Sequence, residues 1–137
     1  MNLNDSAQLK RIASFKCVGM TAPTPREMRL GRGSVRDLVG PADGAQNVDC
    51  HVNVLNADAG LGPRHFHEKA DNVYVVLSGA IEVEIDGMIW RVSAGEVAFI
   101  PPGVTHATGP ADDAQATMLE IYAPPGSDFH LATGEQH

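Results

Sequence analysis

GLGPRHFHEKADNVYVVLSG, residues 60–79, and GEVAFIPPGVTHATGP, residues 95–110, decide how this chain is read. In the first stretch His65 and His67 flank Phe66. On an extended chain side chains alternate, so both imidazoles face one side, about 6–7 Å apart. In the second, His106 follows a Pro-Pro-Gly turn. Imidazole nitrogen binds Zn, Fe, Ni, Cu or Mn, and two same-face histidines with a distant third can clamp one ion. A His-x-His pair alone more often marks surface or hydrogen-bonded histidines, so the flanking residues carry the argument.

Those flanks read as short β-strands. Val48–Leu55 alternates, and Asn72–Ser78 is β-branched and aromatic. Ile81, Val83 and Ile85 share one face of the next segment, with Glu82, Glu84 and Asp86 on the other. Asp86-Gly87 predicts a tight hairpin into Met88–Val92. Val97–Ile100 is stopped by Pro101-Pro102-Gly103, and Thr117–Tyr122 by Pro124-Pro125-Gly126. At least six such strands at near-regular spacing predict an all-β sandwich or barrel. Phe66, Trp90, Phe99 and Met118 read as core. Residues 21–47 are rich in Pro, Gly and Arg, which predicts turns and short edge strands. A weak helical period covers Ser6–Phe15. The tail from Ser127, with His130 and His137, reads as polar and frayed.

The two stretches resemble the paired motifs of the cupin superfamily. Gly95, Pro101, Gly103 and His106 fit the second family motif up to its last position, where Pro110 stands in place of Asn. His65, His67 and Gly79 fit the first. The resemblance implies a jelly-roll β-barrel with a pocket in its mouth. It also implies that His65, His67 and His106 hold one divalent transition metal (Fe, Zn, Mn, Ni or Cu). It says little about substrate, because one fold hosts many chemistries.

One position departs from the pattern. Where the family places a metal-binding Glu, this chain has Asn72. An amide offers one neutral oxygen instead of a charged carboxylate. Asn72 is then a weak fourth ligand, or it orients a water or the substrate. Asp71 could substitute, although strict alternation points it away. Three neutral imidazoles leave the ion its full charge, so an anionic chelating substrate suits the site. Tyr74, on the Asn72 face, is a candidate to donate its hydroxyl to that substrate. Glu120, between apolar residues of the last strand, is a candidate general base if it faces inward, and an exposed outer position is the alternative. Arg64 could clamp a carboxylate or simply lie on the surface, and His51 is a further candidate pocket residue.

Composition fits this reading. The chain has 137 residues, one domain's length. It divides into an arm at 1–36, a barrel at 37–126 and a tail at 127–137. The net charge is −7, which disfavours nucleic acid and anionic membranes as partners. Seven of the ten cations fall within residues 1–36, so a basic arm faces an acidic body. That arm is candidate interface material for a homodimer. Cys17 and Cys50 form no metal spacing and read as free thiols. With no apolar secretory segment at the start, a cytoplasmic location is expected. Two functions follow. One is a metal-dependent enzyme on a small oxygenated substrate, either a dioxygenase or a Lewis-acid isomerase, cyclase or lyase. The other is a barrel that binds a small molecule without turnover.

Overall fold

The computed structural model describes residues 15–125 and 128–135. The helical period at Ser6–Phe15 and His137 therefore fall almost wholly outside the described residues. Eleven strands follow in order: β1 (Arg26–Glu27), β2 (Gly33–Val39), β3 (Asp49–Leu55), β4 (His65–Phe66), β5 (Asp71–Ser78), β6 (Ala80–Ile85), β7 (Met88–Ser93), β8 (Val97–Ile100), β9 (Ala107–Pro110), β10 (Ala116–Ala123) and β11 (His130–Leu131). They form a six-stranded sheet β1-β2-β3-β10-β5-β8, a three-stranded sheet β7-β6-β9 and a ribbon β11-β4. This is the jelly roll that the motifs implied. No helix among the described residues is long and apolar enough to cross a membrane.

Alternation builds the interior. In β5, Asn72, Tyr74 and Val76 point in, and in β10, Ala116, Met118 and Glu120 do. Pairing aligns these positions into rows that run across the sheet. One row is Asp37–His51–Glu120–Tyr74–Ala98. The next pairs Val35, Asn53, Met118 and Val76. The apolar core lies between the two sheets. Leu55, Tyr74, Val76, Ile100 and Met118 meet Ile81, Val83 and Val92 there. Each large side chain so removed from water contributes about 1.5–3 kcal/mol. Asp86 and Gly87 both take positive φ, 53° and 79°, as the expected hairpin turn requires. Gly79 ends β5 at φ 70°, and a Cβ there would lie 2.7 Å from the Gln115 carbonyl.

Several expectations change. Trp90 and Phe99 are 47% and 57% exposed, not core. They lie on β7 and β8, the edge strands of their sheets, where no further strand covers them. Phe66 is only half-buried, and it stacks on His130 at 5.1 Å. The sheet takes in residues before 37, because β2 starts at Gly33 and β1 pairs with it. The tail is not frayed at β11, where His130 and Leu131 pair with Phe66 and His65.

Candidate metal centre

The segment around β4 runs antiparallel to the stretch leading into β9. Gly62 N–H donates to the Thr108 carbonyl, His65 and His106 exchange backbone hydrogen bonds at 3.0 and 2.8 Å, and Gly103 N–H donates to the His67 carbonyl. This pairing joins the two motifs. It brings one ring nitrogen from each of His65, His67 and His106 within 4.8 Å of the others.

The other ring nitrogens are tied down. Nδ1 of His65 donates to the Pro63 carbonyl at 2.9 Å, that of His106 to the Val104 carbonyl at 2.9 Å, and that of His67 to the Asp128 carbonyl at 2.6 Å. A carbonyl only accepts, so each Nδ1 carries the proton and each Nε2 keeps its lone pair. Burial drives the His65 pKa down to about 4 and lowers that of His106, so neither ring is charged at neutral pH. Nε2 of His67 and of His106 are buried without any hydrogen-bond partner. Buried polar atoms are almost always satisfied. Two orphaned lone pairs beside a third imidazole are a donor set that fits one divalent ion. Backbone carbonyls holding the far nitrogens are the usual support for such ligands.

A polar wall stands beside the histidines. Glu120 is 7% exposed, so it does face inward. Its Oε1 accepts from His51 Nε2 and Asn53 Nδ2, both at 2.9 Å. Its Oε2 accepts from Asn72 Nδ2 at 3.1 Å and from the Tyr122 hydroxyl at 2.8 Å. A carboxylate offers about four acceptor positions, and all are filled. Desolvation pushes its pKa up, but the His51 hydrogen bond and charge, with Tyr122 and Asn72, bring it down to about 2. A fully bonded group that holds its proton so weakly is a poor base. Glu120, expected as a general base, is the group on which the donors of this wall converge.

That anchoring orients Asn72, which is wholly buried. Its amide N–H₂ faces two acceptors, Glu120 Oε2 and the Ile121 carbonyl at 3.3 Å. The amide cannot be turned the other way without setting oxygen against oxygen. Oδ1 is therefore presented on the opposite side, buried and unpartnered. Asp71 is exposed, as alternation required.

Tyr74 lies 6.4 Å from His106 between ring centroids. Its oxygen accepts from Thr108 Oγ1 at 3.2 Å, which leaves its own O–H free to donate. Burial, with the Glu120 charge, holds its pKa well above the ordinary value, so it stays protonated. His51 reaches the site through Glu120 and through Tyr122, whose ring lies 5.6 Å from its own and 4.9 Å from that of His67. Arg64 is turned aside onto Glu84, with Nη2 and Oε1 3.2 Å apart. Sequence reasoning missed Asp128 and Phe129. The Asp128 carboxylate accepts the backbone N–H groups of Glu68, Lys69 and Ala70, and these bonds, that from Lys69 first, bring its pKa down to about 2. Phe129 stacks on His65 at 4.3 Å. No local pattern marks either residue, because both act across about 60 positions of chain.

One cavity of about 340 Å³ opens beside the histidines, lined by His65, Tyr74, Glu120 and apolar side chains including Leu55 and Met118. That volume suits a small ligand.

Comparison with known proteins agrees with this architecture. The polyketide cyclase RemF from Streptomyces resistomycificus is similar at 25% identity and TM-score 0.73, over 86% of this chain and 85% of that one. KdgF from Halomonas sp. is similar at 18% identity and TM-score 0.65, over 77% and 89%. A double-stranded β-helix protein from Klebsiella pneumoniae shares 18% identity at TM-score 0.70, over 86% and 97%. No curated protein matches the chain in sequence. The sequence profile of the cupin domain matches residues 53–122, just over half of the chain and the span from β3 to β10. With both motifs joined at one histidine cluster, the chain belongs to the cupin family.

Proposed function

We propose that this chain is a metal-dependent enzyme acting on a small, chelating, oxygenated substrate by Lewis-acid chemistry: isomerisation, cyclisation or elimination. The observation that carries the reading is the pair of orphaned Nε2 atoms on His67 and His106, converging with His65. A divalent ion on three neutral imidazoles keeps its double charge and would polarise a bound oxygen pair. The likeness to RemF, named a polyketide cyclase, favours this branch over oxygen activation.

The chain's own groups have distinct tasks. The Tyr74 hydroxyl, steadied by Thr108, donates to a substrate oxygen. Asn72 Oδ1 accepts from a substrate hydroxyl or a water. Glu120 holds Asn72 in that orientation. Leu55 and Met118 line the apolar part of the cavity.

The test is metal content per chain on protein purified without chelator. About one zinc or manganese per chain, lost in His106→Ala, supports the reading and directs assays to enolisable substrates. Iron, nickel or copper with substrate-dependent O₂ uptake would replace it with a dioxygenase. No metal at stoichiometry, and none restored by any of these ions, would overturn it and leave a small-molecule-binding barrel.

A further inference from the structure

The cavity that reaches His65 is also lined by Arg26, Arg29 and Arg32. These arginines differ in one respect. Arg26 is bound by both ends of Asp37, at 3.0 and 3.1 Å. Arg32 has no carboxylate partner among the described residues. Its Nη2 donates to the Gly60 and Thr108 carbonyls at 2.8 and 3.2 Å. Two of its five N–H groups are thereby used, and Nε and Nη1 have no acceptor among the described residues. The guanidinium is half-buried, and desolvation alone lowers its pKa, with no acidic group to oppose it. Arg29 is exposed beside it and also lacks an ion-pair partner among the described residues.

Half-buried charges are normally paired. This chain has acids to spare, at a net charge of −7, yet among the described residues none is placed against Arg32. A Cβ on Gly62 would lie 2.8 Å from Arg32 Nη1, so the guanidinium packs closely over that glycine. The two carbonyls then fix its plane. Thr108, one of those anchors, is two residues past His106, about 7 Å along an extended chain. Both bidentate edges of a guanidinium include an Nη2 hydrogen and these are taken, so Nε–H and the Nη1 hydrogens are what remain to hold a carboxylate, through single charge-assisted hydrogen bonds.

We propose that Arg32, flanked by Arg29, is an anion subsite of this cavity. The substrate is then a small organic acid: its carboxylate docks on Arg32 and its chelating oxygens reach the histidines about 7–10 Å away. Leu55 and Met118 receive the apolar link between the two ends. The second half of this statement rests on the metal reading, and the first does not.

Two titrations separate them. In metal-loaded protein, 2-hydroxyadipate is compared with 2-hydroxyhexanoate, which has the same chelating end but no distal carboxylate. The diacid is expected to bind about tenfold tighter. Arg32→Met should erase that advantage while leaving the monoacid unchanged. Arg29→Ala, an exposed change that leaves the fold alone, should reduce it about threefold. Raising the salt from about 50 to 500 mM should shrink it too. Equal affinities in the natural chain, or an advantage that survives Arg32→Met, would overturn the proposal. If that variant does not fold, an advantage indifferent to both salt and Arg29→Ala does the same. In metal-free protein, hexanoate reads the subsite alone. Binding that the Arg29 change weakens supports the subsite even if no metal is ever found, and no binding overturns it.

Discussion

Strand β10 turns Glu120 into the interior, whereas strand β7 turns Met88, Ile89 and Trp90 out into solvent. Both break the rule of apolar inside and polar outside, in opposite directions and for different reasons. Glu120 sits in a row where pairing sets His51 and Tyr74 directly opposite, with Asn53, Asn72 and Tyr122 a step away. Four donors converge on it because the register of three strands places them there. The exposed side chains of β7 have no such explanation. They sit on an edge strand of a small sheet. The buried polar group thus reports on the interior of this protein, and the exposed apolar face only on its surface.

The sharpest way to break the comparison is to empty the first position. Glu120→Ala takes the shared acceptor from two buried donors, on Asn53 and Asn72, and two half-buried ones, on His51 and Tyr122, and should cost about 3–5 kcal/mol in urea unfolding. A loss under about 1 kcal/mol would mean that the wall is wet and the cluster incidental. The titration of Glu120 gives a second handle. Its folded pKa, about 2, lies below the ordinary 4.5. Its stabilisation is therefore complete above 4.5 and is lost as pH falls from there towards 2. Glu120→Gln should flatten the acid limb of a stability–pH curve over that window. An unchanged limb would show that the carboxylate is not what the wall depends on.

The tail gives a weaker contrast. Asp128 reaches the histidines without being one of them, since its carbonyl holds His67 and its carboxylate caps residues 68–70. Asp128→Ala frees the caps and lets the carbonyl drift. Metal affinity by chelator competition should fall about tenfold, the usual scale for groups that orient ligands. Metal affinity equal to the natural chain's would show that β4 and the facing strand hold His67 unaided.

These contrasts also mark what the sequence could reveal. Strands with a clear alternation, such as β5 and β6, begin and end within a residue or so of their pattern, because their faces differ in solvent exposure. The histidine trio is legible because its spacing is local to two turns. β4 and β11 are not legible: each is two residues long and exists only through pairing with distant chain. Arg32 escapes for the same reason, its anchors lying 28 and 76 positions away. Trp90 and Phe99 mislead because hydrophobicity reports a preference for burial, whereas edge position decides whether anything is there to bury them.

The smallest expected effect completes the comparison. Trp90 is 47% exposed and Met118, on the interior face of β10, is 3% exposed. Met118→Ala removes packed atoms from the core and should cost about 2–5 kcal/mol. Trp90→Ser removes a larger side chain, yet much of it already touches water, so the loss should stay below about 1 kcal/mol. Both are read from the same urea unfolding curves. If Trp90→Ser costs as much as Met118→Ala, the β7 face is covered in solution by something that binds only the folded chain. The loss would then grow with protein concentration if that cover is a second copy, since mass action stabilises whatever state the partner binds.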